Sequence, residues 1–296
     1  MNLPPELIAN LRKSIVFEAY KAMKLDPDGW VARLLSPLIY FPTKRFARLV
    51  AEADGRVAAD GFPLAATWLL DQIVEKPLAD GQHFIPREGP VVIASNHPGA
   101  FDGLVILSNL PRLDIQMIIS DVPFTRHLVG TRPHLIFSAG NNPSERMAAA
   151  RASVRHLRSG GLLLLFPTGV VDPDPSFMPG AEAEFDGWSD SVEFFIRMVP
   201  GVQIVPTIVS GVIGPGALQN PLVRRQPTRR DRQKVAEYLE VVEAMAFGRD
   251  LGLKPRLTFG SPIGLEEVAP TVDQARPLVI AAKQLLEHHL ITYYSK

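Results

Sequence analysis

The sequence predicts an α/β fold: a mixed, largely parallel sheet covered by helices, preceded by an N-terminal helical region. Two observations predict it. Beyond Pro77, short apolar runs at residues 91–94, 115–119, 135–137, 162–166, 204–209 and 257–259 alternate with helical stretches. Unbroken apolarity of this kind marks strands buried on both faces, as parallel strands are beneath their crossover helices. Before Pro77 the apolar residues recur instead at helical spacing. The expected division is therefore a helical region over residues 1–78 and an α/β domain over residues 79–296.

In the helical region, Pro4 and Pro5 suit a first turn, and Leu7, Leu11, Ile15, Ala19 and Ala22 follow as one stripe. Asp26-Pro27-Asp28-Gly29 ends that helix. A second apolar segment runs over 30–41, a third helix over 44–53 before Asp54-Gly55, and a fourth over 63–75. Within the α/β part, helices are expected near 103–109, 144–158 and 191–198. Thr228 and Asp231 open a further helix with the stripe Val235, Tyr238, Leu239, Val242 and Ala246. The pattern Thr271-Val272-Asp273-Gln274 is a capping box opening the last one.

Composition narrows the class. The chain has 296 residues, 46% hydrophobic and 21% charged, enough to bury a sizeable core without a staple. Its 31 basic and 31 acidic residues cancel, which argues against nucleic-acid binding by bulk charge. Cysteine is absent, so no thioester to the enzyme, Cys-ligated zinc or redox pair can form. No metal or cofactor is expected. Glu6, Arg12 and Lys13 interrupt any secretory apolar core, and no run approaches about 18 apolar residues. A cytoplasmic protein is expected, soluble or peripheral at the inner face of a membrane.

The run at 91–94 leads straight into Ser95-Asn96-His97-Pro98-Gly99-Ala100-Phe101-Asp102. His97 thus leaves the C-terminal end of a buried strand, where open α/β sheets hold ligands. Asp102 falls in the first turn of the next helix, and Pro98-Gly99 bends the chain so that its carboxylate can return to the imidazole. Such a pair frees one ring nitrogen as a base and stabilises the imidazolium formed. A core histidine beside a helix-capping aspartate is the alternative. Phe166-Pro167-Thr168-Gly169 and Ser210-Gly211-Val212-Ile213-Gly214 end two other strands, and parallel strands bring both turns to the same edge. Glycines there let backbone N–H groups approach a phosphate or an oxyanion.

Asn96-His97-Pro98-Gly99-Ala100-Phe101-Asp102 resembles the H-x4-D block of the glycerolipid acyltransferase family, which includes glycerol-3-phosphate and lysophosphatidic acid acyltransferases. Phe166-Pro167-Thr168-Gly169 resembles its F-P-E-G block, Val205-Pro206-Thr207-Ile208 its fourth block, and Phe259-Gly260-Ser261-Pro262-Ile263 its closing strand. The similarity covers about residues 80–265 in family order. The resemblance implies that His97 deprotonates an acceptor hydroxyl, that Asp102 orients His97, and that acyl-CoA or acyl-ACP is the donor, a co-substrate and no resident cofactor. It also implies a glycerolipid-like acceptor and contacts to substrate from Asn96, Phe166, Pro167, Thr168, Gly169 and Pro206.

The sequence departs from the family at Thr168, where the family has glutamate, and at Val171, where it has arginine. A second arginine of the family has no counterpart near Phe137-Ser138-Ala139-Gly140. Arg126, Arg132 and Arg146 are candidate replacements for holding an acceptor phosphate. Asp172 and Asp174 would oppose a dianion, so a neutral or zwitterionic hydroxyl acceptor is expected. A thioesterase-like hydrolase and a non-catalytic lipid-binding protein are the rival readings.

Two further features stand out. Arg224, Arg225, Arg229, Arg230, Arg232 and Lys234 form a basic cluster suited to CoA phosphates, a carrier protein or lipid headgroups, or else a solvated helix start. Trp30, Leu34, Leu35, Leu38, Ile39, Tyr40 and Phe41, followed by Lys44, Arg45 and Arg48, suit a membrane surface or a packed core face.

Overall fold

A computed structural model describes residues 4–22, 26–40, 42–138, 142–188, 191–264 and 277–295. Four helices come first: α1 (Pro5–Ala22), α2 (Trp30–Tyr40), α3 (Thr43–Asp60) and α4 (Phe62–Leu70). Strands β1 (Leu78–Asp80), β2 (Val91–Ser95), β3 (Ile115–Ile119), β4 (Leu135–Phe137), β5 (Leu162–Leu165), β6 (Gln203–Ser210) and β7 (Arg256–Phe259) form one sheet. Helix α5 (Asp102–Leu107) follows β2, and α6 (Pro143–Arg158) connects β4 to β5. Helices α7 (Ala181–Glu184) and α8 (Ser191–Met198) precede β6. Helices α9 (Pro215–Leu218), α10 (Pro221–Arg224) and α11 (Arg229–Val241) lie between β6 and β7, and α12 (Pro277–Tyr294) closes the chain.

The strand order is β1-β7-β6-β2-β5-β3-β4. β6, β2, β5, β3 and β4 are mutually parallel, β7 is antiparallel to β6, and β1 runs parallel to β7. The sheet is therefore mixed and largely parallel, as its apolar runs predict.

The alternation of side chains divides each buried strand between two cores. Val91, Ile93, Leu162, Leu164, Val205 and Val209 face the layer of α1, α3, α4 and α5. Val92, Ala94, Leu163, Leu165, Ile204 and Ile208 face α6, α8 and α12. Leu11 and Ile15 of α1 belong to the first of these cores, so the N-terminal helices and the sheet share one packed layer.

Several expected boundaries move. The third helix does not stop before Asp54-Gly55 but runs on to Asp60. A glycine inside a helix costs about 1 kcal/mol, and here Ala47, Val50, Ala51 and Val57 pack on both sides of it. Asp54 is buried and accepts the N–H groups of Gly130 and Thr131 at 3.2 and 2.7 Å. The fourth helix ends at Leu70 rather than residue 75, and β1 was too short to be read as a strand. The capping box at 271–274 and residues Phe41, Ala139 and Gly140 lie outside the described residues.

One polar centre inside the second layer has no sequence signature. His289 of α12 is fully buried, with Nε2 2.7 Å from Ser210 Oγ and Nδ1 2.7 Å from Thr258 Oγ1. Tyr294 Oη lies 2.9 Å from the same Ser210 hydroxyl. Burial, with the charges of His288 and Arg256, lowers the His289 pKa from 6.5 to about 3. The unfolded chain therefore takes up this proton first, so stability present above 6.5 is lost as pH falls toward 3. Urea unfolding at about pH 7 and about pH 4.5 should give a smaller drop in midpoint for His289→Asn than for the wild type. Equal drops in the two proteins would mean that His289 takes up a proton in the fold.

Candidate active site

The site is built where β2, β5 and β6 end side by side at one edge of the sheet. Asn96 is almost wholly buried. Its side-chain amide donates to Val209 O at 2.9 Å, and its oxygen accepts Val209 N–H at 2.8 Å. It clamps the end of β2 to β6. Next, the backbones of His97 and the chain beyond β5 exchange bonds: Asp172 N–H donates to His97 O at 2.8 Å, and His97 N–H donates to Asp172 Oδ2 at 2.9 Å. Gly99 permits the close approach to the loop after β6, because a Cβ there would meet Val212 Cγ2 at 3.0 Å and Val212 O at 3.1 Å.

The bend at Pro98-Gly99 does return Asp102 to His97. Asp102 Oδ2 lies 2.7 Å from His97 Nδ1, and the same oxygen accepts Gly99 N–H at 3.2 Å. Oδ1 accepts the N–H of Gly103. As the first residue of α5, Asp102 combines the helix-terminal position with the bond to the imidazole. Its side chain is 2% exposed, whereas that of His97 is 29% exposed. Phe166, released from the ladder because β5 ends at Leu165, stacks on the imidazole with ring centroids 4.5 Å apart and planes 22° apart.

Burial alone would lower the pKa of His97. The charge of Asp102 and its hydrogen bond, with the charges of Glu237 and Asp172, more than reverse this and raise it from 6.5 to about 9. Asp172 is raised to about 6 by burial, against the His97 N–H, the His97 charge and the Thr168 hydroxyl. Glu237 is raised to about 8, by burial and then by Asp102 and Glu240, with the His97 charge opposing. Of these neighbours, Asp102 contributes most to raising His97, because it acts through both its charge and its hydrogen bond.

Four residues of this setting, Asp172, Asp174, Gln233 and Glu237, carry no mark of these places in the sequence. Asp172, expected as a repulsive charge near the ligand, is buried and braces the His97 loop; Asp174, also buried, accepts Gly211 and Val212 N–H at 3.0 Å each. Gln233 and Glu237 lie on the inward face of α11, together with Ala236 and Glu240, rather than the expected stripe of Val235, Tyr238 and Leu239 forming the buried face alone. Gln233 donates to both Pro98 O and Asp172 O at 2.6 Å. The spacing of Gln233, Glu237 and Glu240 is helical, but a polar stripe reads as a solvated face until the fold buries it.

The glycine turns are also occupied. Gly169 N–H bonds Phe166 O, Gly211 and Val212 N–H bond Asp174, and Gly214 N–H bonds Glu240 Oε1 at 2.7 Å. These donors brace loops and do not stand ready for an oxyanion. Thr168 is half-buried, with its hydroxyl 2.8 Å from Val170 O and 3.3 Å from Asp172 Oδ2. Pro167 is buried in the same turn, and Gly169 adopts φ +63°. Pro206 lies within β6 opposite Ala94, with its carbonyl accepting Gly260 N–H at 2.8 Å. Arg126 is exposed and paired with Asp121, and Arg132 and Arg146 are exposed; no contact joins any of the three to His97. Of the basic cluster, Arg229 and Arg230 bind Glu184 at 2.8 and 2.7 Å, while Arg224, Arg225 and Lys234 remain exposed. Among the described residues no group of His, Asp and Glu side chains could hold a metal ion.

A family model described as Acyltransferase matches residues 77–210, the stretch from the start of β1 to the end of β6. No curated protein matches the chain. Among solved structures, the crystal structure of the 1-acyl-sn-glycerophosphate (LPA) acyltransferase PlsC from Thermotoga maritima is similar at 16% identity and a TM-score of 0.48, covering 98% of this chain and 99% of that one. The matched interval contains His97, Asp102 and the turn Phe166–Gly169 as well as the strands that carry them, so the similarity to the acyltransferase family falls on the site itself.

Proposed function

We propose that this domain transfers a fatty acyl group from a thioester donor, acyl-CoA or acyl-ACP, to the hydroxyl of a glycerolipid-like acceptor, with His97 as general base and Asp102 as its partner. The observation that carries the reading is the 2.7 Å contact between His97 Nδ1 and Asp102 Oδ2 beside a half-open imidazole. With Nδ1 committed to Asp102, Nε2 is the nitrogen left to take the hydroxyl proton. The acceptor oxygen attacks the thioester carbon, the C–S bond breaks, and the proton held on Nε2 passes to the departing thiolate. Phe166 keeps the ring plane fixed through these steps.

Incubation with labelled acyl-CoA and a panel of hydroxyl lipids, followed by mass spectrometry, tests the reading. Ester product in an acceptor-dependent yield is expected. Rapid release of free fatty acid without acceptor would favour a hydrolase, and tight lipid binding without turnover a lipid-binding protein. His97→Ala should lower turnover by about two to four orders of magnitude in a folded protein.

The ionisation of the pair sets the pH profile. An imidazole with a pKa of about 9 carries its proton at neutral pH, so the base form grows as pH rises toward that value. The value of kcat/KM should therefore climb through the alkaline range. Asp102→Asn removes the charge that raises the pKa, so it should shift this limb to lower pH while reducing the plateau. A limb that stays in place in Asp102→Asn would separate Asp102 from the titrating group.

A membrane surface is the proposed source of the lipid substrate. Among the described residues no helix is long and apolar enough to cross a membrane. Trp30 and Leu34 of α2 are 77% and 71% exposed, next to exposed Lys44 and Arg48, an apolar and basic combination that suits an interface. Arg45 is used internally, bonding Ala244 O and Met245 O. Since Leu11 and Ile15 sit in the core, point changes are the appropriate test. Trp30→Ser combined with Leu34→Ser should weaken binding to anionic liposomes and leave the urea midpoint unchanged; full liposome binding by that variant would remove α2 as the contact.

A further inference from the structure

Gln233 of α11 is wholly buried, and every polar atom of its amide is engaged. Nε2 donates to Pro98 O and to Asp172 O at 2.6 Å each, which uses both of its hydrogens. Oε1 accepts from Arg229 Nη1 at 2.8 Å. The same guanidinium reaches Val171 O at 3.3 Å and Glu184 at 2.8 Å, so the amide is itself held from behind. A nitrogen facing two carbonyls and an oxygen facing a guanidinium admit one orientation of the amide.

Both carbonyls belong to the frame of the His97–Asp102 pair. Pro98 O and Gly99 N–H are the two ends of one planar peptide unit, so they turn together. Gly99 N–H donates to Asp102 Oδ2 at 3.2 Å, and that same oxygen lies 2.7 Å from His97 Nδ1. Gln233 therefore grips one end of the peptide whose other end grips the catalytic carboxylate. The second carbonyl is that of Asp172, which brackets His97 from the other side: its N–H donates to His97 O, and its Oδ2 accepts His97 N–H. Pro98 and Asp172 are buried, so both carbonyls depend on the fold for a partner.

We infer that Gln233 is a positioning residue for the general base: by holding the Pro98–Gly99 peptide and Asp172 at once, it sets the direction from which Asp102 meets the imidazole and hence where Nε2 points. The inference rests on the acyl-transfer reading for the step that Nε2 performs; the hydrogen-bond frame stands by itself. Gln233 acts through backbone and not through charge. The groups whose charges reach the imidazole are Asp102 on α5, Asp172 beyond β5 and Glu237 on α11. An uncharged replacement of Gln233 thus alters the alignment and leaves these charges in place.

Gln233→Met keeps the length of the side chain and removes both donors. It should lower kcat about a hundredfold at unchanged acceptor KM, the cost of misplacing a catalytic group by about 1 Å. Gln233→Glu keeps an oxygen for Arg229, also loses both donors, and should lose kcat to the same extent if the first variant does not fold. Arg112→Gln is the control for stability, because Arg112 donates to Gly89 O at 2.7 Å and Gly160 O at 2.5 Å, just before β2 and β5 begin and so at the opposite edge of the sheet. It should lower the urea midpoint and leave kcat unchanged. In NMR titration without substrates, the His97 imidazole, identified by its loss in His97→Ala, should move in Gln233→Met from a pKa of about 9 toward the ordinary 6.5. Asp102→Asn added to Gln233→Met should then lower it by less than Asp102→Asn does alone. A wild-type His97 titration in folded Gln233→Met would overturn the inference, as would a loss of kcat in the Gln233 variants no greater than in Arg112→Gln. If no acceptor is acylated by the wild type, the transferase reading falls, while the titration still decides the role of Gln233.

Discussion

Two buried carboxylates in the chain beyond β5, Asp172 and Asp174, hold together the edge of the sheet on which the site stands. β2 lies between β5 and β6, so this chain has to cross the end of β2 to reach β6. Asp172 meets it at His97, exchanging bonds with its backbone, and Asp174 meets the loop after β6 at Gly211 and Val212. Pro173 between them fixes the local direction of the chain, and alternate side chains turn to different neighbours. Without these bonds, three strand ends would leave buried N–H groups unpaired, each costing about 1–3 kcal/mol.

That arrangement explains the electrostatics of the site. Burying carboxylates raises their proton affinity, and Asp172, Asp174, Glu237 and Glu240 are all raised for this reason. Three donors converge on Asp102: His97 Nδ1, Gly99 N–H and Gly103 N–H. The imidazole itself is fixed on two sides, by Asp102 at Nδ1 and by the ring of Phe166 on its face.

Helix α11 links this centre to the rest of the molecule. Thr228 caps it by accepting Asp231 N–H at 3.1 Å, as its sequence signature predicts. Its polar inward face then bridges the His97 loop and the loop after β6, while Val235 and Leu239 pack on Ile213 and Val223. Arg229 and Arg230 at its start grip Glu184 of α7. Much of the basic charge near residue 230 therefore positions a helix over the site.

The sequence by itself determined six of the seven strands and their parallel majority, and marked the histidine and aspartate as a candidate pair. A strand buried on both faces has to be apolar along its length, so β2, β5 and β6 are visible in composition alone. His97 and Asp102 are five residues apart around a Pro-Gly bend, and so short a span leaves the chain few conformations other than the one that joins them. Tertiary structure alone decided the support and the surroundings of that pair. Asp172 is 75 residues from His97, and Gln233 is 135 residues from Pro98. A polar side chain carries no sequence mark of being buried; its environment is set by which distant backbone groups the fold leaves in need of a partner. For the same reason Asn96 and Pro206, motif residues by sequence, belong to the sheet, while Glu237 and Glu240, unremarkable in sequence, are buried on the inward face of α11.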